Sequence, residues 1–302
     1  MRKFVCSLLL TVLLGIPLST KATIVDDPGV FNFSPFYDPS SGVIGLSLTF
    51  FPSEEGDTVY IPDYIYENNQ YKYVVNINTG AFYDCHAKYI RLPNHLRFIQ
   101  DYAFHYCCFL TTLEFTNDIS EIDFGEIDDI VGGCNYVDEI IVPLQYLSNY
   151  IDDPEDRFFP YYLDEQLKSK IVLSDYNKMI WADVNFKVSG GPTPFYCTGV
   201  SGTTASRSYS VNVVPANTVV CLEGENNDVV YATATTESAD NVTIPNSIHK
   251  VNSTTCVTNS PGNYYHYYDG DEYLPSIENN TTVCFAPKTA YLLSSTNNRI
   301  EF

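Results

Sequence analysis

Basic residues are scarce in this 302-residue chain: 16 Lys and Arg stand against 37 Asp and Glu, a net charge of −21. No basic run occurs in it, so the clustered cations that nucleic acid or an anionic membrane requires are missing. Charged residues make up only 18% against 45% hydrophobic, a globular balance and not a disordered one. Beyond residue 22 no apolar run is long enough to span a bilayer as a helix. Short catalytic signatures are missing as well. The five His residues form no His-Glu-x-x-His or other paired metal spacing, and there is no Gly-x-Ser-x-Gly, phosphate loop or Cys-x-x-Cys. The expectation is therefore of no catalytic residue, no cofactor and no metal, and of a protein that is not an enzyme. The acidic pairs Asp128-Asp129 and Asp152-Asp153, and Asp269-Gly270-Asp271-Glu272, lack the full spacing of a calcium loop and read as solvated carboxylates.

What is present begins with an export signal. Arg2 and Lys3 precede the apolar stretch Phe4 to Leu18, and Thr20-Lys21-Ala22 has small residues where a signal peptidase reads. Residues 1–22 are thus expected to be removed, leaving Thr23 as the first residue. Cys6 lies too early, after Val5, for lipidation. Eight further cysteines remain, an even count that suggests disulfides in an exported chain. The 25 Tyr and an aromatic share of 15% suit strands, cores or rigid contact surfaces.

An internal repeat overrides the disulfide reading in the first half. Ala81-Phe82-Tyr83-Asp84-Cys85 recurs 22 residues later as Ala103-Phe104-His105-Tyr106-Cys107, and Val74, Ile77 match Leu96, Ile99. Leu110, Leu113 and Phe115 follow Cys107 at the offsets at which Val137, Ile140 and Val142 follow Cys134. Val59-Tyr60-Ile61-Pro62 reads as the end of an earlier turn. A period in the low twenties is that of leucine-rich repeats, which bury their apolar side only by stacking. In such a stack Ile90/Leu92, Leu113/Phe115 and Ile140/Val142 point inward, because side chains alternate along a strand. The outward ladder is then Tyr89, Arg91, Thr112, Glu114, Glu139 and Ile141. Phe82 and Phe104 are core residues, and Cys85, Cys107 and Cys134 are buried thiols.

These motifs resemble the BspA-like leucine-rich repeat family, whose pattern runs I-G-x-x-A-F-x-x-C-x-x-L-x-x-I-x-I-P. The likeness covers roughly residues 28 to 171. Asn78 departs from the usual Gly and Lys88 from the usual Leu, and no Ala-Phe follows Ile119 and Ile122. The third turn is therefore expected to be distorted, with Asp123 to Asp129 as an acidic insertion. The resemblance implies a secreted or cell-surface protein, or one of the periplasm-facing envelope of a bacterium, that adheres to host or cell-surface proteins.

The second half looks different. Residues 144 to 170 read as a cap, with a short helix expected around Leu163 to Lys170. From Ile171 onward short strands alternate with Gly, Pro, Asn and Asp clusters, among them Tyr209 to Val214, Thr218 to Leu222, Val229 to Thr235 and Val283 to Leu293. The phrases Val214-Pro215-Ala216-Asn217-Thr218 and Ala286-Pro287-Lys288-Thr289-Ala290-Tyr291-Leu292 resemble a β-rich module that often ends secreted proteins of anaerobic Gram-negative bacteria. Its four cysteines leave room for one or two disulfides.

The expected fold is mainly β with few helices: a short leucine-rich-repeat solenoid followed by a β-sandwich-like or β-rich domain. The expected boundaries are 1–22 for the signal, 23–73 for a β lead-in, 74–171 for the repeats with their cap, and 172–302 for the C-terminal domain. The expected partner is an extracellular or cell-surface protein, host matrix protein included, bound through the ladder. The alternative is a glycan, or a role assisting an envelope complex, through the C-terminal domain and its Tyr264-Tyr265-His266-Tyr267-Tyr268 cluster.

Overall fold

The computed structural model describes residues 24–52, 58–125, 134, 137–151, 167–174, 178–191, 194–201, 203–208, 212–239, 241–243, 245–258, 264–268, 273–275, 282–294 and 299–300. The export signal and the acidic pairs Asp128-Asp129, Asp152-Asp153 and Asp269 to Glu272 lie outside them. The chain divides into two compact units, with the break after Ile140, upstream of the 171/172 boundary expected from the sequence.

The first unit is a coil of short strands in two walls. One wall carries β1 (Ile24–Val25), β4 (Thr58–Tyr60), β7 (Tyr89–Arg91), β9 (Thr112–Glu114) and the start of β11 (Glu139–Ile141). The other carries β2 (Asn32–Tyr37), β3 (Ile44–Phe50), β6 (Gln70–Ile77), β8 (Phe98–Ile99) and β10 (Asp123–Phe124), with β5 (Tyr64–Glu67) paired to β6 outside the row. Successive turns of the coil pair in parallel: Val59, Ile90 and Leu113 stand in register, as do Ile77, Ile99 and Phe124 on the facing wall. Loop backbone continues the same ladder, since Phe82 N donates to Ala103 O at 2.9 Å and Leu92 N to Glu114 O at 2.8 Å. This satisfies the buried amides of the turns as a sheet would.

The repeat explains the core. Ile90, Leu92, Leu113, Phe115, Ile140 and Val142 are all buried, as the inward alternation requires. Phe82 and Phe104 are fully buried and stacked, with centroids 5.1 Å apart and planes 19° apart. Phe51 extends this spine at 5.2 Å from Phe82, and Phe31 lies 5.4 Å from Phe51. A polar thread runs beside it: Asn76 Nδ2 donates to Ser47 Oγ at 2.7 Å, and Gln100 Nε2 to Asn76 Oδ1 at 3.2 Å.

Two repeat positions need left-handed backbone. Gly80 (φ 65°) and its equivalent Tyr102 (φ 58°) share one; Asp84 (φ 53°) and Tyr106 (φ 61°) share the other. Glycine takes this region without cost, whereas a tyrosine Cβ crowds the following carbonyl.

Three expectations need correction. Asp123 does not open an insertion; Asp123–Phe124 forms β10, because Phe124 fills the place that Ile99 holds one turn earlier. Of the helix expected around Leu163 to Lys170, residues 163–166 lie outside the described residues; Leu167–Val172 is a strand, since Leu167, Ser169 and Ile171 are buried in alternation with Lys168, Lys170 and Val172. A short helix, α1 (Leu147–Ile151), buries Leu147 and Tyr150. Cys134 is only half-buried, unlike Cys85 and Cys107, and follows Cys107 at a longer spacing than Cys107 follows Cys85.

The second unit is β-rich, and its described strand pairings are antiparallel. One sheet joins β12 (Leu167–Val172), β18 (Val229–Ala234) and β14 (Phe186–Ser189). Another joins β13 (Met179–Ile180), β17 (Val220–Leu222), β15 (Pro194–Ser201) and β16 (Thr204–Ser208). A third orders β19 (Ile248–Lys250), β24 (Ala290–Ser294), β21 (Tyr264–Tyr268) and β22 (Tyr273–Pro275); β20 (Thr255–Thr258) pairs with β23 (Thr282–Phe285). Met179, Trp181, Phe195, Cys221 and Leu292 pack in one core. Trp181 carries Lys288 Nζ at 3.9 Å and Lys250 Nζ at 4.5 Å over its ring, a cation–π stack that gives the Ala-Pro-Lys-Thr-Ala-Tyr phrase a structural role. Cys256 and Cys284 face each other across β20 and β23 and form a disulfide; Cys197 and Cys221 are buried.

Candidate binding surface

The parallel register of the repeat brings the ladder together. Thr58, Tyr89 and Thr112 align in one row, and Tyr60, Arg91 and Glu114 in the next. The Tyr60 and Tyr89 rings meet edge to face at 6.0 Å. Arg91 Nε lies 3.7 Å from Glu114 Oε1. The Tyr89 hydroxyl is buried and has no hydrogen-bond partner among the described residues, a group that desolvation penalises until something supplies one. Glu139 is half-buried. Two ladder members are less available than the alternation suggests. Thr112, beside the larger Tyr89, is 8% exposed. Ile141 is 3% exposed and belongs to the second unit, where its apolar side chain is packed.

The thiols stack with the turns. Cys85 Sγ and Cys107 Sγ are 3.2 Å apart, and Cys107 and Cys134 donate to the carbonyls of Phe82 and Phe104 at 2.9 and 3.0 Å. Hydrogen bonds to Cys134 and Cys85, with burial, push the Cys107 thiol far above its ordinary range. The bond from Cys107 draws Cys85 down against burial. A nucleophile must be an accessible thiolate, and Cys85 and Cys107 are buried. No group of three His, Cys, Asp or Glu suited to a metal occurs among the described residues.

The aromatic cluster of the second unit points inward where it is described. Tyr265 packs edge to face on Tyr291 at 5.3 Å, Tyr267 lies against the Val251–Phe285 core, and His266 is buried. A cleft of about 400 Å³ lies nearby, lined by Asn217, Val219, Val242, Pro245, Ile248 and Lys250. Lys250 Nζ already donates to Asn217 O at 3.1 Å.

A second aromatic surface escaped the sequence reading. Between β4 and the inner part of β6 the chain inserts the β5–β6 hairpin. Its turn residues Asn68 (φ 51°) and Asn69 (φ 62°) are both left-handed, the two-residue geometry that matches strand twist. Cross-strand pairing sets Tyr64 opposite Tyr73 and Tyr66 opposite Tyr71. All four rings are exposed, by 44% to 60%. The available signal was Tyr-Ile-Tyr-Glu-Asn-Asn-Gln-Tyr-Lys-Tyr, two alternating runs about an Asn pair.

These features define the class: the first unit is a leucine-rich-repeat solenoid of about three turns. Residues 59–148 match the BspA type leucine rich repeat region in six copies, so this part of the chain carries BspA-like leucine-rich repeats. Proteins with such repeats are commonly associated with surfaces and adhesion. No curated protein and no solved structure matches the chain. No helix among the described residues is long and apolar enough to cross a membrane.

Proposed function

We propose that this protein is exported and acts at the cell surface as a binding protein and not as an enzyme, adhering to a protein partner through the β4–β7–β9 ladder. The observation that carries this reading is the register that sets Tyr89 and Arg91 side by side on one strand, with Tyr60 and Glu114 as neighbours. Tyr and Arg are the residue types that most often dominate binding energy. The ladder is short, so one copy binds modestly and multiple display supplies avidity. With a net charge of −21, a basic partner binds less tightly as salt rises.

The test is an array of immobilised matrix proteins and polysaccharides probed with the full chain and with Tyr89→Ala/Arg91→Glu. Circular dichroism checks that the variant is folded. Loss of a protein signal in the folded variant supports the ladder. Retained binding, or a signal on polysaccharide alone, refutes it.

A further inference from the structure

The β5–β6 hairpin is an insertion that the solenoid does not need. Later turns cross from one wall to the other in short connections, Leu92 to Arg97 and Phe115 to Ile122, without a hairpin. In repeat proteins such insertions gather on one face, often the face that binds. Four rings about half exposed present roughly 400 Å² of aromatic surface, taking ~200 Å² for each tyrosine. An aromatic patch of that size is comparable to the largest apolar patch of a typical monomer, which is often functional.

The ring geometry restricts the occupant. Tyr64 stands at 89° to Tyr71 with centroids 4.8 Å apart, and at 82° to Tyr73 at 6.3 Å. Tyr66 tilts at 48° against Tyr71 at 4.9 Å. The surface is therefore made of faces and upright edges, not of coplanar plates. A pyranose is apolar on its faces but carries hydroxyls around its rim, so it suits a flat ring and loses hydrogen bonds against an upright one. A pyrrolidine ring is hydrocarbon on both face and edge and suits a corner.

The four rings share one face of the hairpin and the Lys72–Glu67 pair lies on the other, while Asp63 at its base keeps its negative charge. Lys72 Nζ pairs with Glu67 at 3.0 Å, and the Asp63 carboxylate accepts from Asn94 N and Nδ2 at 2.7 and 2.8 Å. The hairpin tip is the uncharged amide run Asn68, Asn69 and Gln70, all exposed. Amide donors match the free carbonyls of a polyproline II segment, which makes no internal hydrogen bonds and is already ordered before it binds.

The geometry points to the four-tyrosine hairpin as a docking site for an uncharged, proline-containing extended segment of a partner protein. The site is separate from the β4–β7–β9 ladder and does not depend on that reading.

The experiment titrates fluorescein-labelled decaproline with the full chain and follows anisotropy. A Gly-Ser peptide of equal length and cellohexaose serve as competitors. Saturable decaproline binding is expected, weakened at least tenfold in Tyr66→Ser/Tyr71→Ser. Tyr64→Ser, which removes both perpendicular contacts, is expected to weaken it as well. Both variants should keep the parent circular dichroism and melting midpoint, because the rings are outside the core. Tyr89→Ala/Arg91→Glu should bind the peptide as the parent does, so that failure of the ladder and failure of the hairpin are told apart. Absence of saturable binding, equal affinity in the serine variants, or displacement by cellohexaose overturns the proposal. So does a hairpin-dependent self-association of the chain without peptide binding.

Discussion

Removing the Phe104 ring tests whether the turns are packed as described. Phe104 is fully buried and stacks on Phe82 at 5.1 Å. Its backbone neighbour Ala103 accepts from Phe82 N, so ring and amide belong to the same junction between turns. A buried aromatic side chain covers ~150–250 Å², which at ~25 cal/mol per Å² corresponds to about 4–6 kcal/mol. Residual burial in the unfolded chain lowers that figure, and measured Phe→Ala truncations fall at about 3–5 kcal/mol. Phe104→Ala should therefore lose about 3–5 kcal/mol, read as a lower urea midpoint by far-UV circular dichroism with little change of slope. Phe109→Ala is the control. That ring is 50% exposed and its removal should cost no more than about 0.5 kcal/mol. A loss below about 1 kcal/mol for Phe104→Ala, or equal losses for the two variants, refutes the spine.

Three further outcomes are expected. Cys85 and Cys107 should resist alkylation in the native protein and react after denaturation without reductant, while Cys256 and Cys284 react only once reduced; intact mass after each step decides it, and a disulfide at Cys85 or Cys107 breaks the thiol column. Tyr102→Gly should raise the melting midpoint by the equivalent of about 0.5–1 kcal/mol, since relief of the left-handed tyrosine outweighs one exposed ring contact; a drop means that the ring holds the turn. Asp38, whose carboxylate is held well below the usual range by the hydroxyls of Ser41 and Ser40, stabilises its turn above the ordinary carboxylate range and loses that contribution only as pH falls through the lowered value; a carboxyl-carbon NMR titration midpoint at the usual carboxylate pH contradicts this.

Much of the first unit was legible because two periods reinforce each other. The 22-residue recurrence places Phe82 and Phe104 on one axis, and the alternation within each strand sends Ile90, Leu113 and Ile140 inward. Outward residues were harder to judge, because exposure depends on neighbours. Thr112 follows the alternation and still sinks beside a larger side chain. The tyrosine hairpin was hidden by the search for the repeat itself, since residues 64–73 look like lead-in once the period is the only template. The stretch Leu167 to Lys170 was expected as helical, whereas the buried set Leu167, Ser169 and Ile171 has period two. In the second unit, spacing could not select the Cys256–Cys284 pair; only the antiparallel register of β20 with β23 sets the two sulfurs opposite each other.

The bonding pattern of the coil also bears on how such a chain changes length over generations. Neighbouring turns meet through backbone bonds, as from Phe82 to Ala103 and from Asp84 to His105. An in-frame duplication of one such unit hands its new neighbours the contacts they already make, and a deletion closes the gap with equivalent ones. Stability in a linear stack is a sum over adjacent pairs, so a copying slip that inserts a whole period adds a junction, while one of another length has to be absorbed within a turn, as in the 27-residue step from Cys107 to Cys134. Selection acting on this gene therefore tolerates gain and loss in whole repeats far more readily than single-residue shifts within them.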